Sequence, residues 1–257
     1  MSYIETESRD GALWLWLNRP GRHNALVPAM VSEFRAAVAR AAEQDPSALV
    51  LAARGRSFST GGDVAGFLEN SGSLQALQEY SERLVGGLHA AILDLLAFPA
   101  PVLAAINGPV TGGSTGLMLA ADLVAMAEDA FVQPYYSEVG FSPDGGWTAL
   151  LPDRIGTAKA LQIQYRNERI GATEALVLGL ATCICPREQL ESQIGSWTSE
   201  IAKGYAQTHR ATREKIWDEQ RRAEVKSRLD QEKARFLELV TRPETLEGMR
   251  DFKKERA

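Results

Sequence analysis

The residues from Pro101 to Leu117, PVLAAINGPVTGGSTGL, constrain the fold of this chain more than any other stretch. They begin with a short apolar run, Val102 to Ile106, which lies between prolines and the turn Asn107-Gly108-Pro109. A short apolar run bounded by turn residues is typical of a buried strand. A glycine-rich turn follows, and then a segment with helix-forming composition, LMLAADLVAM. This order can place backbone N–H groups and a helix N-terminus against a phosphate or a polarised carbonyl oxygen. A tight turn whose glycines serve only packing is the alternative.

A second apolar run ends in the same kind of turn. Ala48 to Ala53 is predicted to be a buried strand, and it runs into a turn that contains FSTGGD. If the two strands are neighbours, both turns lie at the same edge of the sheet. Two backbone N–H groups could then point at one oxygen, which is the geometry of an oxyanion hole.

Strand and helix patterns alternate along the first part of the chain. Alternating and apolar runs predict strands at 3–7 and 12–17, the second with Trp14 and Trp16 on one face. Helices are predicted at 28–43 and, as one long helix, at 74–96.

The alternation of predicted strands and helices continues to residue 186 and stops at Arg187. Residues 136–146 are predicted to be a loop, followed by a short helix at 147–151 that Pro152 ends. After Arg187 the sequence is charged and helix-rich, with no strand pattern. We therefore predict an α/β core over residues 1–186 and a helical C-terminal region over residues 187–257.

The composition of the chain argues against some classes of binding partner. Apolar residues make up 45% of the chain and charged residues 24%, which is ordinary for a globular protein. The net charge is −5 and no basic stripe is visible, so nucleic acid is not an expected partner. An apolar span of bilayer length and a signal peptide are both missing from the sequence, so we expect a cytoplasmic protein without a membrane partner.

The two cysteines, Cys183 and Cys185, both lie in ATCICP. Two small buried thiols are the expectation, in preference to a disulfide or a metal pair. Because the sequence has no CxxC motif and no histidine cluster, no metal site is predicted.

The pair FSTGGD and AAINGPVTGGSTGL resembles the crotonase superfamily, also called the enoyl-CoA hydratase/isomerase family. Further similar segments are NRPGRHNAL, VGFSPDGGWTALLPDRIG, RIGATEALVLGLATCICP and RPETLEGMRDFKKER. They occur in the family's order over almost the whole chain. The resemblance implies a spiral of ββα units with trimerising C-terminal helices, in homotrimers that often pair into hexamers. It also implies an acyl-CoA thioester as substrate, with coenzyme A as part of that substrate and no separate cofactor.

The resemblance assigns the two oxyanion donors to the backbone N–H groups of Thr60 and Gly113, which would hold an enolate or a tetrahedral oxyanion. It places CoA across NRPGRHNAL and FSTGGD, and Asp63 is expected to order the second of these loops. The residues expected to contact CoA are Ala25, Leu26, Gly61, Gly62 and Asp63, with Arg22, His23 and Arg56 near the phosphates. For those three side chains a solvated surface position is the alternative. Phe252 is expected to reach the CoA pocket of a neighbouring subunit.

The catalytic positions depart from the hydratase pattern of the family. Hydratases carry two glutamates, and the matching positions here are Gly116 and Tyr136. Glu138 is close by but in a different register. Asp144, in FSPDGG, matches a carboxylate that some isomerases of the superfamily use and that a dehalogenating branch uses as a nucleophile. An ordinary type I turn is the alternative explanation for this aspartate.

His89 is the other candidate, because the dehalogenating branch has a water-activating histidine at the matching helix position. A lone core histidine is the alternative. Tyr136 matches a tryptophan of that branch and is expected to line the acyl pocket. The favoured hypothesis is double-bond isomerisation of an enoyl-CoA with Asp144 as acid/base. The alternatives are a hydrolytic or dehalogenase-like reaction with Asp144 as nucleophile and His89 activating water, or a catalytically silent CoA-binding homologue.

Overall fold

Nine strands in two sheets form the frame of the part of the chain that the computed structural model describes, residues 2–254. In chain order they are β1 Ile4–Arg9, β2 Ala12–Leu17, β3 Leu49–Ala53, β4 Val102–Ile106, β5 Val110–Thr111, β6 Leu123–Ala127, β7 Phe131–Gln133, β8 Ile170–Gly171 and β9 Cys183–Cys185. The larger sheet has the order β1-β2-β3-β4-β6-β9, and the smaller has the order β5-β7-β8. Only β1–β2 is antiparallel in the described larger sheet, and its other pairs are parallel.

The strands β2, β3 and β4 are buried at every position. Parallel strands covered on both faces read as continuous apolar runs, which explains LVLAA and VLAAI. Trp14 and Trp16 do lie on one face of β2, where their rings stack with centroids 5.5 Å apart. Because β3 pairs with β4 in parallel, both glycine turns lie at the same edge of the sheet, as the sequence predicted.

Helices cover the sheets and make up the C-terminal region. They are α1 Pro28–Glu43, α2 Val64–Glu69, α3 Leu74–Ser81, α4 Gly87–Leu96, α5 Thr115–Leu119, α6 Tyr136–Val139, α7 Leu151–Ile155, α8 Thr157–Arg166, α9 Ala172–Val177, α10 Leu190–Lys203, α11 Ala206–Ile216, α12 Glu219–Leu239 and α13 Pro243–Lys254. Short 3₁₀ turns lie at Pro20–Arg22, Gly112–Ser114 and Arg187–Gln189. No helix within residues 2–254 combines the length and the hydropathy needed to cross a bilayer.

The helix predicted at 74–96 is helical throughout, but it contains a π-helical segment, Glu82–Gly86, between α3 and α4, and such segments often occur at functional sites. Two other local predictions were wrong. The loop predicted at 136–146 contains the short helix α6. Pro152 lies in the first turn of α7 and does not end a helix, because a proline is tolerated there, where its missing N–H would have no partner anyway.

The C-terminal helices pack against the core of their own chain. The apolar side chains of Trp217, Phe236 and Val240 are buried there, and that of Ile216 stays half-exposed. Helix α12 lies on α4 and the π-helical segment, while α13 lies on α2 and α6. Because these apolar side chains are already buried within their own chain, they do not support a role of residues 187–257 in oligomerisation. That role stays a prediction.

Arg213 on α11 fastens this region to the core. Its side chain is buried, and its Nε donates to Asp122 Oδ2 over 2.7 Å. The rest of the guanidinium donates to the carbonyls that end α4, those of Leu95, Leu96 and Phe98. A positive charge at a helix C-terminus satisfies carbonyls that have no partner within the helix.

We predict that Arg213→Ala lowers the free energy of unfolding by about 3 kcal/mol, because it removes the buried cation that pairs with Asp122 and donates to three carbonyls. Arg210→Ala is the matched control, since Arg210 pairs with the exposed Asp45 and should cost less than about 1 kcal/mol. Urea unfolding followed by circular dichroism measures both. Equal losses in the two variants would contradict the anchoring role of Arg213.

Candidate active site

The two glycine turns are joined by backbone hydrogen bonds. Ser59 donates its N–H to Pro109 O over 3.2 Å and accepts the N–H of Thr111 over 3.0 Å. The Ser114 hydroxyl also donates to Ser59 O, at 3.0 Å. These bonds hold the turn that contains Thr60 beside the turn that contains Gly113.

Both turns line a cavity of about 630 Å³. Its wall also includes residues 21–26, part of the π-helical segment, the loop before α7, and the helices α12 and α13. Of the residues predicted to contact CoA, the wall contains Arg22, His23, Ala25, Leu26, Gly61, Gly62, Asp63 and Phe252. Arg56 lies outside it and is exposed.

Asp63 orders the FSTGGD turn, as the sequence predicted. Its carboxylate accepts the N–H of Ala65 at the start of α2, and it pairs with Arg19 at 2.8 Å and with Arg22 at 3.4 Å. The contact to Asp63 draws Arg22 towards the protein, although its side chain is still half-exposed. Arg19, which sequence reasoning missed, has the shorter contact of the two.

One of the two expected oxyanion donors has a protein partner. The N–H of Thr60 donates to His23 O over 3.2 Å, so a substrate oxygen must replace this carbonyl. The carbonyl points there because His23 and Asn24 both have a left-handed backbone, with φ of 51° and 53°. The buried Asn24 amide holds that turn in place by donating to Arg54 O and Ser57 O. Of the two predicted oxyanion donors, the N–H of Thr60 is therefore already bonded to a protein carbonyl.

Gly113 lies in the short 3₁₀ turn Gly112–Ser114 that leads into α5, where the leading N–H groups have no carbonyl partner within the helix. A methyl group added to Gly113 would lie 2.9 Å from Asp144 Oδ2, 3.0 Å from Asp144 Oδ1 and 2.9 Å from Leu88 Cδ2. The carboxylate of Asp144 therefore lies close to Gly113, the residue whose N–H is a predicted oxyanion donor.

Asp144 is buried and is held by Tyr136. The Tyr136 hydroxyl lies 2.5 Å from Asp144 Oδ1 and 2.9 Å from the Asp144 carbonyl oxygen. Burial raises the pKa of Asp144 to about 7; the hydrogen bond from Tyr136 works against this rise and the charge of Glu232 adds to it. Burial and the neighbouring Asp144 raise the pKa of Tyr136 well above its ordinary value, so this hydroxyl keeps its proton. The site thus contains a carboxyl group that can both hold and release a proton near neutral pH.

The turn that follows Asp144 is held by two more side chains. Gly145 and Gly146 have φ of 64° and 89°, a conformation that favours glycine. Gly145 donates its N–H to His89 Nε2 over 3.1 Å, and Gly146 donates its N–H to Glu232 Oε2 over 2.9 Å. The other Glu232 oxygen accepts the N–H groups of Thr148 and Ala149 and the Thr148 hydroxyl, at 2.7–2.9 Å.

Glu232 is the site residue that the sequence reasoning missed. It is buried on α12, 86 residues away from the Gly146 it holds. Its spacing is the signal that could have revealed it, because the buried positions of α12 are Val225, Leu229, Glu232 and Phe236, an otherwise apolar stripe. A carboxylate on such a stripe needs buried donors, and the 146–149 turn supplies them.

His89 lies behind this turn and is not part of the cavity wall. Since Nε2 accepts the Gly145 N–H, Nδ1 carries the proton in the neutral ring. Burial, with the nearby charge of Lys233, lowers the pKa of His89 to about 4, so the ring is neutral at neutral pH. The lone pair that would take a proton from water is already engaged. The structure thus places His89 as a support for the turn.

The two hydratase positions cannot hold their glutamates here. A methyl group added to Gly116 would lie 2.2 Å from Gly145 O and 2.4 Å from Ile92 Cδ1, so the 144–146 turn fills the space of a side chain. The second position is occupied by Tyr136, whose hydroxyl donates a hydrogen bond to the Asp144 carboxylate. Glu138 is exposed, bonds to the Asn167 side chain and does not line the cavity.

Phe252 lines the cavity of its own chain, whereas the sequence suggested a neighbouring subunit. Its ring meets that of Tyr135 edge to face, with centroids 5.9 Å apart. The reason is the close packing of α13 on α6, where Thr245 donates its hydroxyl to Gly140 O and Gly248 approaches the Val139 backbone.

No group of three or more histidine, cysteine or acidic side chains within residues 2–254 is arranged to hold a metal ion. Cys183 and Cys185 are free thiols, the first half-buried and the second buried. Burial raises the pKa of both.

We predict that Asp144 makes the protein less stable as the pH rises from about 4 to about 7. The unfolded chain releases this proton near the ordinary value of 3.8, whereas the folded chain holds it until about 7. Asp144→Asn cannot ionise, so its free energy of unfolding should rise relative to that of the parent chain across this window and then level off. Urea unfolding of both proteins over the window measures the difference. A difference that is independent of pH would contradict the raised pKa.

Comparison with known proteins supports the resemblance seen in the sequence. Residues 7–257 match the family model described as enoyl-CoA hydratase/isomerase. A probable enoyl-CoA hydratase of Rhodobacter capsulatus is 35% identical over 207 residues, which cover 79% of this chain and 77% of that protein. The 4-chlorobenzoyl coenzyme A dehalogenase-2 of an Arthrobacter species is 30% identical over 208 residues, which cover 80% of this chain and 74% of that protein.

The fold has close solved counterparts. The crystal structure of enoyl-CoA hydratase from Bacillus halodurans matches with a TM-score of 0.91 at 24% identity, over 97% of this chain and all of the other. This likeness shows the crotonase fold that the sequence predicted. Together with the match over residues 7–257, it shows that the chain belongs to the enoyl-CoA hydratase/isomerase family, the crotonase superfamily of acyl-CoA enzymes.

Proposed function

We propose that this enzyme moves a double bond along the acyl chain of an enoyl-CoA thioester, with Asp144 as its acid/base. The observation that carries the proposal is the placement of one buried carboxyl group, with a pKa of about 7, beside Gly113, whose N–H is a predicted oxyanion donor. The other carboxylate in the cavity wall, Asp63, is paired with Arg19 and Arg22 and caps α2. One acid/base group suffices for isomerisation, whereas the hydration chemistry of the family uses two glutamates.

The reaction begins when Asp144 takes a proton from the carbon between the thioester carbonyl and the double bond. The electron pair of that C–H bond moves into the acyl system and gives a dienolate, whose negative oxygen is held by the Gly113 N–H. Asp144 then returns the proton to the far carbon of the former double bond, which leaves the double bond next to the carbonyl. The Tyr136 hydroxyl occupies Oδ1 of Asp144, so Oδ2 is the atom that carries the proton.

The packing around Gly116 supports isomerisation over hydration. Hydration adds water and needs a group to activate it as well as a group to protonate carbon. The space where the family's first glutamate would lie is filled by Gly145 O and by Ile92. Replacing Gly116 by glutamate would therefore displace the turn that holds Asp144.

We expect Asp144→Asn to lower kcat for a 3-enoyl-CoA by roughly 10²–10⁴-fold, because the amide keeps the shape of the carboxyl group but cannot accept a proton. Affinity for CoA thioesters should change little. Conversion to the 2-enoyl product, followed by mass spectrometry after chromatographic separation, measures the loss. Glu138→Gln is the matched control and should keep near-normal turnover, since Glu138 is exposed and outside the cavity. Loss of activity in Glu138→Gln with full activity in Asp144→Asn would overturn the assignment.

A second candidate is a hydrolytic or dehalogenase-like reaction, in which Asp144 attacks as a nucleophile and His89 activates water. It is favoured by the similarity to the Arthrobacter dehalogenase and by the contact of His89, on α4, with the turn that contains Asp144. The bond from Gly145 to His89 Nε2 weighs against it, because that nitrogen has no free lone pair.

We predict that His89→Gln retains measurable isomerase activity and accumulates no acyl-enzyme, because His89 supports the turn and does not touch the substrate. Intact-protein mass spectrometry after mixing with aryl-CoA and enoyl-CoA thioesters is the measurement. A covalent adduct on Asp144 in this variant would favour the hydrolytic candidate. Binding of all thioesters without turnover by the parent enzyme would favour a silent CoA-binding homologue.

We also propose that the enzyme is a cytoplasmic homotrimer or a dimer of trimers that needs no cofactor beyond the coenzyme A of its substrate. The family resemblance supports this assembly. Exposed apolar side chains on α8 and α9, among them Tyr165 and Val177, offer a surface for it.

A further inference from the structure

Three phenylalanine rings are in mutual contact at the wall of the cavity. The centroids of Phe141 and Phe236 lie 4.8 Å apart, those of Phe67 and Phe141 5.2 Å apart, and those of Phe67 and Phe236 5.8 Å apart. These are distances of rings packed directly on one another. No acyl group can therefore enter between them, and the three rings form a continuous barrier, the aromatic floor.

The position of the aromatic floor follows from the neighbours of two glycines. A methyl group on Gly113, whose N–H is a predicted donor to the thioester oxygen, would meet Leu88. A methyl group on Gly62 would meet Leu84 at 3.4 Å and Phe67 at 3.1 Å. Leu84 and Leu88 are four residues apart on the continuous helical run 74–96. Their separation along the helix axis is about 6 Å. The space for the acyl chain thus begins beside Leu88 and reaches the aromatic floor close to Leu84.

The side chains along this path are apolar. Leu84, Val85, Leu88 and Val139 line the cavity together with the aromatic floor. The acyl chain that fits is short and carries no charge beyond the carbonyl, because a charged group there would be buried without a partner.

Phe141 is the most exposed ring of the aromatic floor. Phe67 and Phe236 are each only 2% exposed and belong to the core, whereas Phe141 is half-buried and follows Gly140, which has φ of 86°. We propose that Phe141 is the specificity-determining residue that limits the length of the acyl group. The inference rests on the proposed binding of acyl-CoA thioesters, but not on which reaction follows.

Isothermal titration calorimetry with saturated butanoyl-, hexanoyl-, octanoyl- and decanoyl-CoA tests the inference, because these thioesters bind without isomerising. In the parent enzyme, affinity should stop rising once the chain meets the aromatic floor. Phe141→Ala opens the floor and should improve the affinity for octanoyl-CoA relative to butanoyl-CoA by about tenfold, the worth of between one and two newly buried CH₂ groups. Phe141→Leu, which leaves more of the barrier, should give a smaller change in the same ratio and guards against a folding defect in the alanine variant.

Phe131→Ala is the matched control, because Phe131 lines the same cavity but packs under Arg169. It should alter the affinities for all four thioesters by a common factor and leave their ratio unchanged. An unchanged ratio in both Phe141 variants, with thioesters still bound, would overturn the role of Phe141 and leave the proposed function standing. Failure of the parent enzyme to bind any of the four thioesters would overturn both.

Discussion

The close approach of the 144–146 turn to the glycines of the TGGSTG segment is the contact on which the rest of the site depends. A methyl group on Gly145 would lie 2.2 Å from Gly113 O and 2.5 Å from Gly113 Cα, so the two backbones touch without any side chain between them. Two turns this close bring the Asp144 carboxyl group beside Gly113. The same contact fills the place where the hydratase pattern of the family has a glutamate. One packing contact thus positions the proposed acid/base and leaves no room for that second carboxylate.

Such a turn cannot hold itself, because two adjacent left-handed glycines cost conformational entropy and leave buried N–H groups. Three elements compensate for this cost with one side chain each: Tyr136 from α6, His89 from α4 and Glu232 from α12. Their protonation states are consistent with this role. Tyr136 keeps its proton and donates it in a hydrogen bond to Asp144. His89 is neutral and accepts the N–H of Gly145.

Much of the fold and part of the site could be predicted from the sequence, because local patterns encode them. Apolar runs ending in glycine turns gave the two neighbouring strands and placed Thr60 and Gly113 at one edge. The sequence also predicted that Asp63 orders its loop, although not that it caps α2. What escaped prediction depends on contacts distant in sequence. The carbonyl of His23 meets Thr60 only after the chain has turned through two left-handed residues. Glu232 reaches the turn after Asp144, and Phe252 reaches the cavity, from helices to which the resemblance had assigned a role in oligomerisation. The role of Pro152 was misjudged for a different reason, since a proline is compatible with either end of a helical pattern and only tertiary packing decides between them.

Glu232 lies on α12, which follows the sheet and both glycine turns in the chain, and this order affects when the site can form during protein synthesis. A chain leaves the ribosome from its N-terminus, so the sheet, both glycine turns and Asp144 are exposed for folding well before α12 emerges. During that interval the N–H groups of Gly146, Thr148 and Ala149 lack the carboxylate that they bond in the finished protein. A nascent chain can therefore bury its sheet while the turn after Asp144 is still unsettled, and the geometry at Asp144 is completed only after α12 has emerged.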